Sequence, residues 1–200
     1  TLDNTYTDDR VTIRLPVHDV AITDVKPFAA FVFQGYSLDL NVTIANQGDY
    51  PETFNITAYA NVTFISQIEV TLTEGNSMTD TFVWNTTGLI CGNYTMSAVA
   101  DVVTNETDTL DNTHIDGTVA VALPVYDVAV VGVSPASSLA LIGFDLGINV
   151  TVENQGNFTE TFNVTAYANT TEISKEEITL TSGNSTTISF TWNTTGWAIG

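Results

Sequence analysis

Apolar and polar residues alternate with a period of two along most of this chain. Leu38, Leu40, Val42 and Ile44 are separated by Asp39, Asn41 and Thr43, and Phe54, Ile56, Ala58 and Ala60 by Asn55, Thr57 and Tyr59. Alternation of this kind sends successive side chains to opposite faces of an extended chain, so each run predicts a strand with one dry and one wet face. Further runs at about 18–25, 64–73, 78–84, 93–101 and 114–122 bring the number to about seven strands. Turn clusters such as "NQGDYPE", "EGNS" and "NTTG" separate them. No window carries a helical stripe, and the abundance of Thr and Val suits a pleated surface. Trp84 and Trp192, each directly ahead of "NTTG", read as core aromatics.

The pattern then repeats. "TLDNT" at 1–5 returns at 109–113, and "VHDVAITDV" at 17–25 returns as "VYDVAVVGV" at 125–133, both displaced by 108 residues. Aligned without gaps, residues 17–92 and 125–200 are identical at 41 of 76 positions, with "NQG", "TAYAN" and "WNTTG" as matched blocks. This predicts a complete unit over 17–124, a partial unit over 125–200, and in 1–16 the final strand of a preceding repeat or a donor strand. Val11, Ile13 and Leu15 alternate with Thr12 and Arg14 there, as a last strand would. About seven short antiparallel strands per unit make the predicted fold all-β: tandem immunoglobulin-like β-sandwiches, in which two sheets bury one face each.

The order of the segments is itself informative. "HDVAITDV", "LNVTIANQG", "FVWNTTG" and "YTMSAVAD", followed by "NETDTLDNT" before the last strand, resemble the CARDB family, the cell-adhesion-related domain of prokaryotic surface proteins. The resemblance covers the whole chain, counting the partial units. It implies Ig-like sandwiches in tandem within a large secreted or wall-associated protein. Asp111-Asn112 stands where the family usually has paired asparagines.

Composition narrows the functions further. Four basic residues (Arg10, Arg14, Lys26, Lys175) face 23 acidic ones, a net charge of −19, which repels nucleic acid and anionic membranes. The apolar runs "FAAFVF" and "SLALIGF" fall far short of the roughly 18–20 residues a spanning helix needs, so membrane insertion is not expected. The lone Cys91 rules out an internal disulfide framework and a cysteine-built zinc site. Aligned with Ile199, it reads as a small buried hydrophobe. The repeat replaces His18 by Tyr126 and has Tyr6 where His114 stands. No glycine-flanked serine, His-Glu-x-x-His or phosphate loop occurs, so the chain is not expected to be an enzyme or to need a catalytic cofactor.

Two polar signals remain. Twelve of the 17 asparagines lie in N-x-S/T sequons: Asn41, Asn55, Asn61, Asn85, Asn93, Asn105, Asn149, Asn157, Asn163, Asn169, Asn184 and Asn193. Chance alone would give roughly four. By the alternation Asn41, Asn55, Asn61 and Asn93 fall on wet faces, with Asn85 and Asn105 in loops, which is where a covalent N-glycan must sit. In a family of prokaryotic surface proteins, dense N-glycosylation implies an archaeal cell exterior, hence an extracellular, cell-surface location. Acidic residues crowd the last connection of the unit: Asp101, Glu106, Asp108, Asp111, Asn112 and Asp116, with Asp3, Asn4 and Asp8 repeating part of the set. Such hard oxygen ligands suit Ca²⁺, the candidates being Asp108, Asp111 and Asp116. Asp and Asn also favour turns through local hydrogen bonds, so a solvated turn is the other reading.

Two functions follow. One is a structural segment of a glycosylated filament, stalk or surface layer, partnered by copies of itself head to tail through chain continuity or strand donation. The other is an adhesive module that recognises carbohydrate or protein on another surface. The loops repeat as faithfully as the strands, which favours the first.

Overall fold

The computed structural model describes residues 11–198, which form thirteen strands and no helix. The chain divides into two compact units after Leu123. In unit 1, β1 (Val20–Pro27), β3 (Ser37–Asn46) and β6 (Ser77–Asn85) form one antiparallel sheet with β3 in the middle. The second sheet runs β2 (Phe31–Phe33), β8 (Thr113–Ala122), β7 (Gly92–Ala100), β4 (Glu52–Ala60) and β5 (Thr63–Leu72). Every strand expected from the alternation between residues 18 and 122 is present. The addition is β2, whose three residues are too few to show a period; it pairs parallel with β8, Phe31 opposite Ala120 and Phe33 opposite Ala122.

The core is made by the dry faces of both sheets. Leu38, Leu40, Val42 and Ile44 of β3 and Phe82 and Trp84 of β6 meet Phe54, Ile56, Ala58 and Ala60 of β4, Met96 and Ala98 of β7, and Val119 and Val121 of β8. Burying one such aliphatic or aromatic side chain contributes about 1.5–3 kcal/mol, so the period-two pattern is the main source of stability. Trp84 is a core aromatic, as expected, and stacks edge-on against Tyr94 of β7 at 5.2 Å. A bulge in β1 between Ile22 and Asp24 inserts one residue, which moves the next inward position from 24 to Val25.

Unit 2 holds β9 (Val128–Pro135), β10 (Asp145–Asn154) and β13 (Ser185–Asn193) in one sheet and the hairpin β11 (Glu160–Ala168) with β12 (Thr171–Leu180) opposite. Its core is smaller: Ile148, Val150, Val152, Val164, Ala166, Leu180, Ile188 and Phe190. Trp192 is half-buried against it and meets Trp197 edge-on at 5.0 Å.

Two expectations are corrected, those for Cys91 and Asn61. Residues 11–19 form no strand within this chain, and Val11, Ile13 and Leu15 are 90%, 94% and 85% exposed. The rest of that segment, residues 1–10, lies outside the described residues, as does Ile199. Cys91 is exposed, since it falls in the connection before β7 rather than within a strand. Asn61 is not a strand residue but opens the two-residue turn between β4 and β5, where it takes the left-handed φ of +54° that asparagine tolerates; Asn169 does the same at +53°.

Candidate functional site: the asparagine-bearing surface

Asn41, Asn55, Asn85, Asn93, Asn149, Asn163 and Asn193 lie in strands, where the alternation that sends their neighbours inward turns them outward, and the other five sequon asparagines lie in turns and loops. Eleven of the twelve are exposed, and Asn55 is half-buried. The buried asparagines are a different set: Asn46, Asn112 and Asn154 are at most 3% exposed, and none lies in a sequon. Several sequon side chains are fixed through Oδ1. Asn41 accepts from Thr81 Oγ1 (2.9 Å), Asn149 from Ser189 Oγ (2.7 Å), and Asn61 from Thr95 N (2.8 Å). Asn85 accepts from Thr87 N and Asn157 from Val125 N, both at 2.8 Å. Three others engage Nδ2, the atom an N-glycan would join: Asn55 donates to Asp101 (3.0 Å), Asn193 to Asp145 (2.8 Å) and Asn184 to Thr181. Asn105 takes a left-handed φ of +68° in the loop after β7, Asn93 lies on the exposed face of β7, and Asn163 on that of β11.

The "NQG" blocks do a separate job. Asn46 Nδ2 donates to the carbonyls of Tyr50 (2.7 Å) and Leu72 (2.9 Å), and its Oδ1 accepts from Gly48 N (3.0 Å). Asn154 repeats all three bonds on Phe158, Leu180 and Gly156. A Cβ on Gly48 would stand 2.7 Å from Val17 O and 2.8 Å from Asp19 N, and one on Gly156 equally close to Val125 and Asp127. Only glycine lets this turn grip the incoming chain. That chain is tied down by Asp49, which accepts from Val17 N (2.8 Å) and pairs with Arg14 through two 2.5 Å contacts. The Arg14 side-chain hydrogen bond, then Val17 N, holds the Asp49 carboxyl below the usual carboxylate range. "WNTTG" is likewise a folding device: buried Thr86 Oγ1 donates to the carbonyls of Phe33 and Tyr36, and Thr194 to those of Leu141 and Phe144. Loop fidelity between the units therefore has a folding cause of its own and does not discriminate structure from recognition.

The acidic connection gathers around Glu106. Its Oε1 accepts from Val20 N and its Oε2 from Val103 N, both at 2.8 Å, while Asn112 Nδ2 reaches both oxygens at 3.2–3.3 Å. Asp19, absent from the sequence-derived set, joins it. Burial, then the nearby charges of Asp111, Asp108 and Glu106, raise the Asp19 carboxyl. Burial likewise raises Asp111, helped by Asp108 and Glu106 and opposed by its own backbone N–H. Asp19 Oδ1, Asp111 Oδ1 and Asn112 Oδ1 are buried with no hydrogen-bond partner. Asp108 Oδ1 accepts from Leu110 N (3.3 Å) as a local turn would, whereas Asp116 is an exposed residue of β8. Among the described residues no three acidic, histidine or cysteine side chains are grouped closely enough to hold a metal ion ready-made. Nothing in the sequence signalled Asp19, which joins the set only where the start of β1 lies beside the last connection.

Two sheets packed face to face, with "NQG" anchoring the entry to each unit, define an Ig-like sandwich domain. The CARDB family profile matches residues 19–115 and 129–199, and the chain belongs to that family, a surface- and adhesion-associated β domain. It is similar to the CARDB domain of a Pyrococcus furiosus protein whose crystal structure is in complex with di-metal ions. That match has 23% identity and a TM-score of 0.47 over 56% of this chain and 99% of that one. The solution structure of the same domain gives 21% and 0.47 over 55% and 99%. Red sea bream transglutaminase aligns at 13% identity and a TM-score of 0.36, over 92% of this chain and 28% of that one. No curated protein matches. No helix among the described residues is long and apolar enough to cross a membrane.

Proposed function

We propose that this chain is a segment of an N-glycosylated, extracellular cell-surface array of Ig-like repeats, a filament, stalk or surface layer, and that its role is structural rather than enzymatic. The segregation of asparagines supports this: sequon asparagines face out, while the three buried asparagines lie outside sequons. Glycopeptide mass spectrometry of the native material is the test. Added mass is expected first on Asn41, Asn61 and Asn149, whose Oδ1 rather than Nδ2 makes the bond to the protein, and less on Asn55 and Asn193, whose nitrogen is engaged. Bare asparagine at all twelve positions would overturn the proposal.

A hard divalent cation of the calcium class is proposed at the acidic connection, in revised form. The orphaned oxygens of Asp19, Asp111 and Asn112 fit such an ion, with Asp108 beside them, and Asp116 does not belong to the set. The ion would supply the positive charge that these carboxylates lack. Since a ligand bound only by the folded state stabilises it, excess chelator is expected to lower the midpoint of thermal unfolding of unit 1. An unchanged midpoint would leave the solvated turn.

A further inference from the structure

The turn between β4 and β5 of unit 1 presents apolar side chains to solvent. Val62 is 94% exposed and Phe64 59%. Tyr59, opposite Phe64 in the register, meets it edge-on at 6.5 Å. Both rings lie on the outer face of the sheet, since Ala58 and Ala60 on either side of Tyr59 are fully buried. Unit 2 has the same two-residue turn, with Asn169 in the same left-handed conformation, but Thr170 and Glu172 stand in place of Val62 and Phe64. The turn therefore forms without these apolar side chains, and folding alone does not account for them.

Beside the rings stands a sequon asparagine. Asn61 continues the β4–β7 ladder one step beyond the pairs Tyr59–Ser97 and Ala60–Met96. Its N–H donates to Thr95 O (2.7 Å), and its Oδ1 accepts from Thr95 N (2.8 Å) where a strand would offer a backbone carbonyl. These bonds fix the side-chain amide and leave Nδ2 without a hydrogen bond among the described residues. A strand advances about 3.3 Å per residue, so Tyr59 stands about 7 Å back along the same strand, within reach of a single sugar ring beyond the amide.

We infer that Tyr59 and Phe64 are the seat of the first sugar of an N-glycan on Asn61, a pyranose whose C–H face lies against the rings. Such a contact removes apolar surface from water, and the weakly positive C–H groups of the sugar meet the negative face of an aromatic ring. Thr63, which completes the sequon, pairs with Ala60 across the turn, so acceptor site and seat belong to one hairpin. In unit 2 the carboxylate of Glu172 lies opposite Tyr167, which leaves a sugar on Asn169 a single ring beside a group that must stay hydrated. This inference rests on the glycosylated reading of the surface and gives one of its sugars a structural task.

The experiment uses the 200-residue chain with single glucose residues placed on its sequons by a cytoplasmic N-glycosyltransferase. Thr63→Val removes the Asn61 sequon alone and keeps the asparagine, so the resonances it deletes identify that glucose. The C–H protons of that glucose are expected to be shifted upfield by the rings and to show nuclear Overhauser contacts to Tyr59 and Phe64. The glucose on Asn41, which has Lys26 and Thr81 opposite it, supplies the unshifted reference. Tyr59→Thr with Phe64→Thr, a residue that suits a strand, should return the Asn61 glucose to that reference. Glucose on Asn61 should also raise the unfolding midpoint of unit 1 over the bare chain by more than it does in the double threonine variant. An Asn61 glucose with reference shifts and no ring contacts would overturn the seat and leave the apolar tip open to a partner protein. Failure of the glycosylated reading shows separately, as bare asparagines in native material while the ring contact persists in the glucosylated chain.

Discussion

Val25 and Val133 occupy the same position of the same repeat, yet one is 0% exposed and the other 64%. Around them most of the sequence is shared, and so are β3 with β10, β4 with β11, the bulge in the first strand, and the three hydrogen bonds of Asn46 and Asn154. Unit 1 adds β7, β8 and β2. Local devices, the turns and bulges, form identically in both units because every partner they need lies within the shared residues. Burial of the first strand does not, because its cover in unit 1 comes from β7 and β8, and no such strand stands among residues 124–198. The two units thus separate what a strand pattern does alone from what it does when closed.

The largest expected effect tests the shared part. Asn46→Ala removes the hydrogen bonds to the Tyr50 and Leu72 carbonyls and from the Gly48 amide, which keeps its bond to Asp19 O, and Asn154→Ala does the same in unit 2. Each should destabilise its own unit by about 2–4 kcal/mol, read by unit-resolved hydrogen exchange. A clear inequality between them would break the claim that these turns are independent of closure. The next effect tests the difference. Val25→Ala removes two buried methyl groups and should cost about 2 kcal/mol, whereas Val133→Ala should stay within about 0.5 kcal/mol. Equal costs would mean that unit 2 is covered in solution.

The smallest effect concerns the acidic connection, which residues 124–198 do not contain. Burial and neighbouring acids raise the Asp19 and Asp111 carboxyls, so folded unit 1 binds protons more tightly than the unfolded chain. Its stability should rise as pH falls from neutral through these raised values, which lie above the ordinary carboxylate pKa of roughly 4. Asp49 acts oppositely: its lowered pKa gives a contribution that is complete above the ordinary value and lost only as pH falls through the lower folded one. In excess chelator, with no cation to neutralise these carboxylates, Asp19→Asn should therefore stabilise unit 1 at neutral pH, with the gain shrinking as pH falls. Thermal melts of the two proteins over that range would show it, and a pH-independent gain would point to packing instead.

Much of this was legible in the chain. Period-two alternation located seven strands of unit 1 because a strand's two faces are written directly in its residues. The 108-residue offset gave the repeat, and the phase of the sequons matched the exposure of Asn41, Asn93 and Asn149. The misses share a cause. β2 exists only because β8 lies beside it, and Asp19 meets Glu106, Asp108 and Asp111 only once β1 lies beside the last connection.

The sequence by itself therefore determined which residues could be strands, which faces of them would be dry, and where the turns that need Asn and Gly would fall, since these depend on neighbours within a few positions. Tertiary structure decided which dry faces are in fact dry, which alternating run finds an edge, and which acids share a field. Burial and electrostatic coupling belong to pairs of surfaces, and a pattern along one chain can propose a surface without naming its partner.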